Sequence, residues 1–165
     1  MEIIPLLLKE LDFEVNVARK MLALVPEDKP DWKPHQKSTA MKPLAIHIAE
    51  LPSWITLGLT TTELDFETAP YSPSPANNTA EILDLLERSY ESGKSSLQSA
   101  TEKDLLGPWT LRNGQHIIAE MTKYEIIRHS LNQITHHRAQ LGVYLRILNI
   151  PIPGSYGPSA DEMNF

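Results

Sequence analysis

Apolar residues recur at helical spacing along two long stretches of the chain. In the first stretch they alternate steps of four and three residues: Ile4, Leu8, Leu11, Val15, Ala18, Leu22 and Val25. Steps of this size keep side chains on one face of a helix. The second stretch runs from Tyr124 to Leu148 with the same spacing, and Thr122 followed by Glu125 is the capping box that starts it. Each stretch therefore predicts a long helix.

Two further helices are predicted between these stretches. One begins at Asn78, which has Glu81 three residues later, and its apolar positions are Ile82, Leu86, Tyr90 and Leu97. The other covers about residues 39 to 59. Pro52 lies inside this second helix and should kink it, because proline has no backbone donor and clashes with the preceding turn.

The segments between these helices predict the connections. Residues 60 to 78 form a long loop, which favours either a crossover connection or a functional lid. Residues 109–115 predict a small hairpin that turns at Asn113 and Gly114. We therefore expect one all-α domain over residues 1–165, a four-helix bundle with a long loop between helices 2 and 3 and a small hairpin before the last helix.

Composition excludes several classes of function. The chain has 165 residues, a net charge of −6 and no cysteine, so it has neither a thiol nucleophile nor a cysteine zinc site. It has no long charge-free apolar run, and its N-terminus lacks the features of a secretory signal. An acidic chain without a dense basic block is not typical of a nucleic-acid-binding protein. We therefore expect a cytoplasmic protein with no membrane or nucleic-acid partner.

Two of the six histidines lie where metal chemistry is plausible. His47 faces the core or its rim from the kinked helix, and His137 lies at the edge of the apolar stripe of the last helix. Imidazoles from two packed helices commonly form a metal site within a bundle. The alternative is that each is a hydrogen-bonded histidine at the edge of the core. His129 is too far along the helix from His137 to share an ion with it, and His136 points away around the helix.

A divalent ion normally takes a third protein ligand. Gln133 lies one turn before His137 on the same helix face. Glu50, three residues after His47, can ligate directly, orient His47 or act as a base. An exposed or salt-bridged Glu50 is the alternative. The spacing alone does not choose among these roles.

Arg138 stands where the apolar stripe of the last helix calls for leucine. A guanidinium there keeps its charge and needs a carboxylate or several carbonyls nearby. Glu50 or a residue of the C-terminal tail is the candidate partner. In the alternative, the stem packs while the charged head reaches outward to solvent.

Four segments taken together resemble the DinB-like, damage-inducible family of small bacterial proteins. They occur in the family's order and span nearly the whole chain: residues 32–38 (WKPHQKS), 44–52 (LAIHIAELP), 132–141 (NQITHHRAQL) and 156–162 (YGPSADE). The resemblance implies a four-helix bundle, often dimeric, with a nickel- or zinc-type ion held by three histidines. It also implies kinship with enzymes that use bacillithiol or mycothiol as the nucleophile.

Carried over to this chain, the resemblance matches His47 to the first metal ligand and His137 to the last. The middle histidine of the family pattern is replaced by Gln133, and Ala139 stands where glycine is usual. An amide oxygen is a harder donor than an imidazole nitrogen, so this replacement should weaken nickel or zinc binding.

Two functions are consistent with these residues. The first is a metal-dependent hydrolase or thiol transferase acting on a small molecule, with Glu50 as general base or as an anchor for His47. Its sulfur nucleophile would come from a low-molecular-weight thiol, because the chain has no cysteine. The second is a non-catalytic dimerisation or small-molecule-binding module. In either case we expect a homodimer, with residues 156–162 covering the end of the bundle or reaching a partner chain.

Overall fold

The computed structural model describes residues 2–163, in which the helices form the main core and a small sheet packs against them. Within that range five α-helices, one short 3₁₀ helix and three strands are present. The α-helices are α1 (Ile4–Leu22), α2 (Met41–Glu50), α3 (Ser53–Thr60), α4 (Thr79–Ser99) and α5 (Lys123–Ile147). The strands are β1 (Glu63–Asp65), β2 (Pro108–Asn113) and β3 (His116–Thr122), and the 3₁₀ helix is Asp104–Leu106.

The three long helices form where the apolar spacing predicts them. Thr122 and Glu125 make the reciprocal capping box at the start of α5, and the Asn78 side chain accepts the Glu81 backbone N–H at the start of α4. These caps satisfy backbone donors that have no partner within the helix. Asn149, with φ of 58°, follows the end of α5, as expected for a residue that tolerates the left-handed region.

The kink predicted at Pro52 is a complete break between two helices. α2 ends at Glu50 and α3 begins at Ser53. A Cβ added to Gly93 of α4 would lie 2.4 Å from the Pro52 carbonyl oxygen. The missing side chain at Gly93 therefore lets α4 approach the break closely, which accounts for a glycine inside that helix.

The prediction of an all-α four-helix bundle is wrong. The predicted hairpin is present as β2 and β3, but its turn residues are Gly114 and Gln115 rather than Asn113 and Gly114, because Asn113 already pairs with His116. In addition, β1 pairs in parallel with β2 and completes a three-stranded mixed sheet in the order β1-β2-β3. Asp65 holds β1 in place, because its carboxylate accepts the Gly114 N–H at 2.8 Å and pairs with Arg112 at 2.7 Å. Only three residues of the predicted loop join the sheet, and so short a segment carries no alternating pattern.

The apolar stripes of the helices meet in a main core, and a smaller cluster of Trp109, Leu111 and Ile126 joins the sheet to α5. The C-terminal segment folds back onto its own chain, where Asp161 pairs with Arg146 of α5 at 2.5 Å. The tail thus packs along α1 and α5 of its own chain, and its predicted reach to a partner chain stays a prediction. Across residues 2–163, no helix combines the length and apolarity that a bilayer crossing requires.

Candidate active site

His47 of α2 and His137 of α5 lie side by side. Their ring centroids are 4.8 Å apart, with the rings nearly perpendicular. Both line a cavity of about 220 Å³ together with residues of the loop that follows β1, among them Tyr71 and Pro73. Zinc binds imidazole nitrogen at about 2.0–2.1 Å, so two rings this close are within joint reach of one ion. The predicted convergence of the two imidazoles is therefore present in the structure.

Gln140 fixes the orientation of His137. Its Oε1 lies 2.9 Å from His137 Nδ1, and its Nε2 lies 3.1 Å from His136 Nε2. With Oε1 toward His137, the amide accepts from His137 Nδ1–H and donates to His136. His137 Nε2 is then the unprotonated nitrogen. A ring held through one nitrogen with the other left as an acceptor is the usual arrangement of a metal-ligating histidine.

Tyr71 and Glu50 support His47 from the other side. The Tyr71 hydroxyl lies 3.5 Å from His47 Nδ1 and donates to Glu50 Oε2 at 2.8 Å. Glu50 Oε1 accepts the Ser74 backbone N–H at 2.6 Å. Both carboxylate oxygens of Glu50 therefore hold the long loop against α2. The loop in turn forms one wall of the cavity around the two imidazoles.

The surroundings favour neutral imidazoles. Burial lowers the pKa of His47, and the nearby His137 lowers it further, while Glu50 partly opposes the shift. Burial also lowers the pKa of His137, although its hydrogen bond with Gln140 acts in the opposite direction. Burial and the bond to Glu50 raise the pKa of the Tyr71 hydroxyl. At neutral pH both rings are thus able to act as nitrogen donors, and Tyr71 keeps its proton.

The two imidazoles supply two strong metal ligands, where a divalent ion normally takes three. Within residues 2–163, no three His, Cys, Asp or Glu side chains are grouped to hold an ion. Gln133 Nε2 lies 3.4 Å from His129 Nε2, so its amide nitrogen faces that histidine. Its Oε1 has no hydrogen-bond partner among the described residues. Gln133 is not among the residues that line the cavity of His47 and His137. Two imidazoles without a third strong ligand fit a divalent ion only weakly.

Arg138 takes a partner that the sequence analysis did not name. Its Nη1 donates to Glu14 Oε2 of α1 at 2.5 Å, and the two side chains are 4% and 1% exposed. Glu50 is therefore not its partner, and its head does not reach outward to solvent. Among the described residues the acceptor for Arg138 comes from α1 and not from the tail. The tail contributes a ring contact instead, with the Tyr156 centroid 5.7 Å from the guanidinium carbon, and the Tyr156 hydroxyl donates to Glu14.

Two contributors to this site were missed from the sequence. Tyr71 lies between Pro70 and Pro73 in the predicted loop, and no local pattern indicates that its hydroxyl reaches α2. The contacts of Gln140 with the two histidines could have been predicted from the sequence. Gln140 lies three and four residues after His137 and His136, the spacing at which helical side chains meet.

A family model described as the DinB family matches residues 3–164. The chain belongs to the DinB family. The resemblance drawn from the four segments is thus confirmed. Among curated proteins, no match to this DinB chain is found.

Several solved structures share the fold of this DinB protein. A DinB-like protein from Bacillus subtilis is 14% identical with a TM-score of 0.71, covering 96% of this chain and 99% of its own. A DinB-like protein from Bacillus cereus is 20% identical with a TM-score of 0.67, covering 90% and 94%. A mycothiol-dependent maleylpyruvate isomerase is 14% identical with a TM-score of 0.61, covering 84% and 60%. At these identities the likeness shows the fold alone.

Proposed function

We propose that this DinB protein is an enzyme that acts on a small electrophilic molecule, by hydrolysis or by transfer of a low-molecular-weight thiol. The observation that carries the proposal is the pair of neutral, oriented imidazoles of His47 and His137 in one cavity. The fold shared with a mycothiol-dependent isomerase supports the thiol branch. The chain has no cysteine, so a thiol nucleophile has to enter as a cosubstrate.

His47 and His137 are the proposed ligands of a divalent nickel or zinc ion, with the Gln133 amide oxygen as a weak third. Such an ion supplies Lewis acidity, which polarises a carbonyl or lowers the pKa of a thiol or a water. Gln140 holds the ring of His137 in the productive tautomer. Pro43, Leu44 and Pro73 give the cavity an apolar wall.

Glu50 is proposed as a positioning residue rather than a general base. Its two oxygens are occupied by the Tyr71 hydroxyl and the Ser74 N–H, and it contacts the imidazoles only through Tyr71. Tyr71 is the group that reaches the cavity. Its protonated hydroxyl can donate to an oxygen of a bound substrate once it turns from Glu50.

Calorimetric titration of the metal-free protein with Ni²⁺ and Zn²⁺ tests the ligand set. We expect weak binding that is lost in His47→Ala and in His137→Ala. The exposed His116 lies on β3 outside the cavity, so His116→Ala is the matched control and should bind as the wild type does. Gln133→His should raise affinity by more than tenfold, which is about 1.4 kcal/mol of binding free energy. Binding that survives His47→Ala, or a Gln133→His variant with no gain, would contradict the proposal.

A non-catalytic small-molecule-binding module is the second candidate. The observation that favours it is the incomplete donor set, with the Gln133 amide directed at His129. Thiol-transfer and hydrolysis assays on wild-type and Gln133→His protein, each with stoichiometric metal, separate the two. Activity that falls with His137→Ala supports the enzyme, whereas inactivity of both metal-loaded proteins supports the module. The expected homodimer stays a prediction, which analytical ultracentrifugation can check.

A further inference from the structure

A larger cavity, of about 470 Å³, lies between α5 and the C-terminal segment. Its size falls within the range of about 300–1,000 Å³ typical of small-molecule sites. Much of its wall is apolar, with contributions from Met21, Gly142 and Ile152. It shares no lining residue with the cavity around His47 and His137. An inference about this cavity is therefore independent of the proposed function.

Arg138 lines this cavity with part of its guanidinium unused. Its Nη1 donates to the Glu14 backbone oxygen and to Glu14 Oε2. In the portion of the chain that the structure describes, Nε and Nη2 have no protein acceptor. No fully enclosed side-chain nitrogen or oxygen there lacks a partner, so these two groups must still touch accessible space. They form the forked edge of the guanidinium that binds a carboxylate through two parallel hydrogen bonds.

The Glu14 carboxylate does not compete for that edge. The Arg138 guanidinium compensates its negative charge, and the hydroxyls of Thr135 and Tyr156 also donate to it. A second guanidinium, that of Arg146, also lines the cavity and is paired with Asp161. The cavity therefore has an apolar wall and, at Arg138, two N–H groups that have no protein acceptor among the described residues. These groups belong to a side chain that stays positively charged.

We propose that this cavity binds a small carboxylic acid with an apolar body. The carboxylate lies on the Nε and Nη2 edge of Arg138, and the body packs against Met21 and Gly142. A neutral amide of the same shape cannot accept two equally strong hydrogen bonds, since only one of its heteroatoms is an acceptor. The site should therefore prefer a carboxylate to the amide of the same shape, because the carboxylate is negatively charged and both of its oxygens accept hydrogen bonds.

Titration of the full chain with benzoate and hexanoate, against benzamide and hexanamide, tests the proposal by calorimetry and ligand-observed NMR. We expect each carboxylate to bind at least tenfold more tightly than its amide. Gly142→Leu should abolish this binding by filling the cavity. The added Cβ would lie 3.6 Å from Met21 Cε, an ordinary van der Waals contact for that atom. Gly107→Leu is the matched control outside the cavity, also with ordinary contacts, and should bind as the wild type does.

Arg138→Lys tests the role of the Nε and Nη2 edge of the guanidinium. Lysine keeps a positive charge toward Glu14 but removes the Nε and Nη2 edge, so the preference for carboxylate over amide should fall by at least tenfold. Circular dichroism checks that both variants remain folded. Equal binding of acid and amide to the wild type, absence of binding by both classes, or undiminished binding in Gly142→Leu overturns the proposal.

Discussion

The buried pair of Glu14 and Arg138 makes a quantitative prediction about stability. The two side chains are 1% and 4% exposed, so both charges are almost completely removed from bulk water. Glu14→Gln keeps the shape of the side chain and an acceptor oxygen but removes the charge that compensates Arg138. Removing one partner of a buried ion pair costs about 3–5 kcal/mol, because the other charge is left buried without compensation.

For a chain of this length, each kcal/mol lowers the melting temperature by about 2–4 °C. The expected loss for Glu14→Gln is thus about 6–20 °C, measurable by circular dichroism, with the free energy taken from urea unfolding. The matched control is Glu10→Gln. Glu10 pairs with Arg128 between the same two helices, but these side chains are 36% and 29% exposed. We expect about 0–1 kcal/mol for the control, as for solvent-exposed pairs.

The double variant Glu14→Leu with Arg138→Met separates charge from packing. Replacing both charges by apolar groups removes the desolvation cost together with the attraction, and such changes range from neutral to stabilising by about 1–4 kcal/mol. Thr135 keeps the Leu131 carbonyl as acceptor, and the Tyr156 hydroxyl can turn to water because Tyr156 is 64% exposed. A Glu14→Gln variant that loses less than 1 kcal/mol, or a double variant less stable than either single one, would refute this reasoning.

Three further predictions concern the site and its supports. Because the pKa values of His47 and His137 are lowered in the fold, the unfolded chain binds more protons below about pH 6.5. Stability of the metal-free protein should thus fall as pH drops through that value, and a flat urea midpoint from pH 7.5 to 5.5 would count against it. Gly93→Ala should destabilise by about 1–3 kcal/mol despite better helix propensity, because its Cβ meets the Pro52 carbonyl oxygen; a gain in melting temperature contradicts this. Tyr71→Phe removes the hydroxyl that ties the loop to α2, so amide hydrogen exchange at positions 71, 72 and 74 should accelerate, and unchanged protection would argue against the tether.

The sequence by itself determined the elements whose signal is local. The apolar spacing of α1 and α5 and the capping box at Thr122 act within a few residues, since backbone donors and side chains three or four positions apart meet in any helix. Asn113–Gly114 indicated a hairpin for the same reason, although the turn itself lies one residue later, at Gly114 and Gln115. His47 and His137 were recognised because each lies beside a regular apolar stripe, and their meeting follows from packing those stripes together.

The tertiary structure alone decided the pairings between distant segments. β1 becomes a strand only because β2 offers it an edge and Asp65 finds Arg112 and the Gly114 N–H. Arg138 needed a carboxylate, but its choice of Glu14 depends on which helix lies opposite. The hydroxyl of Tyr71 reaches Glu50 through the path of a loop that has no periodicity. Such contacts form between segments that are distant in the sequence, whereas residue spacing predicts structure only within one helix or hairpin.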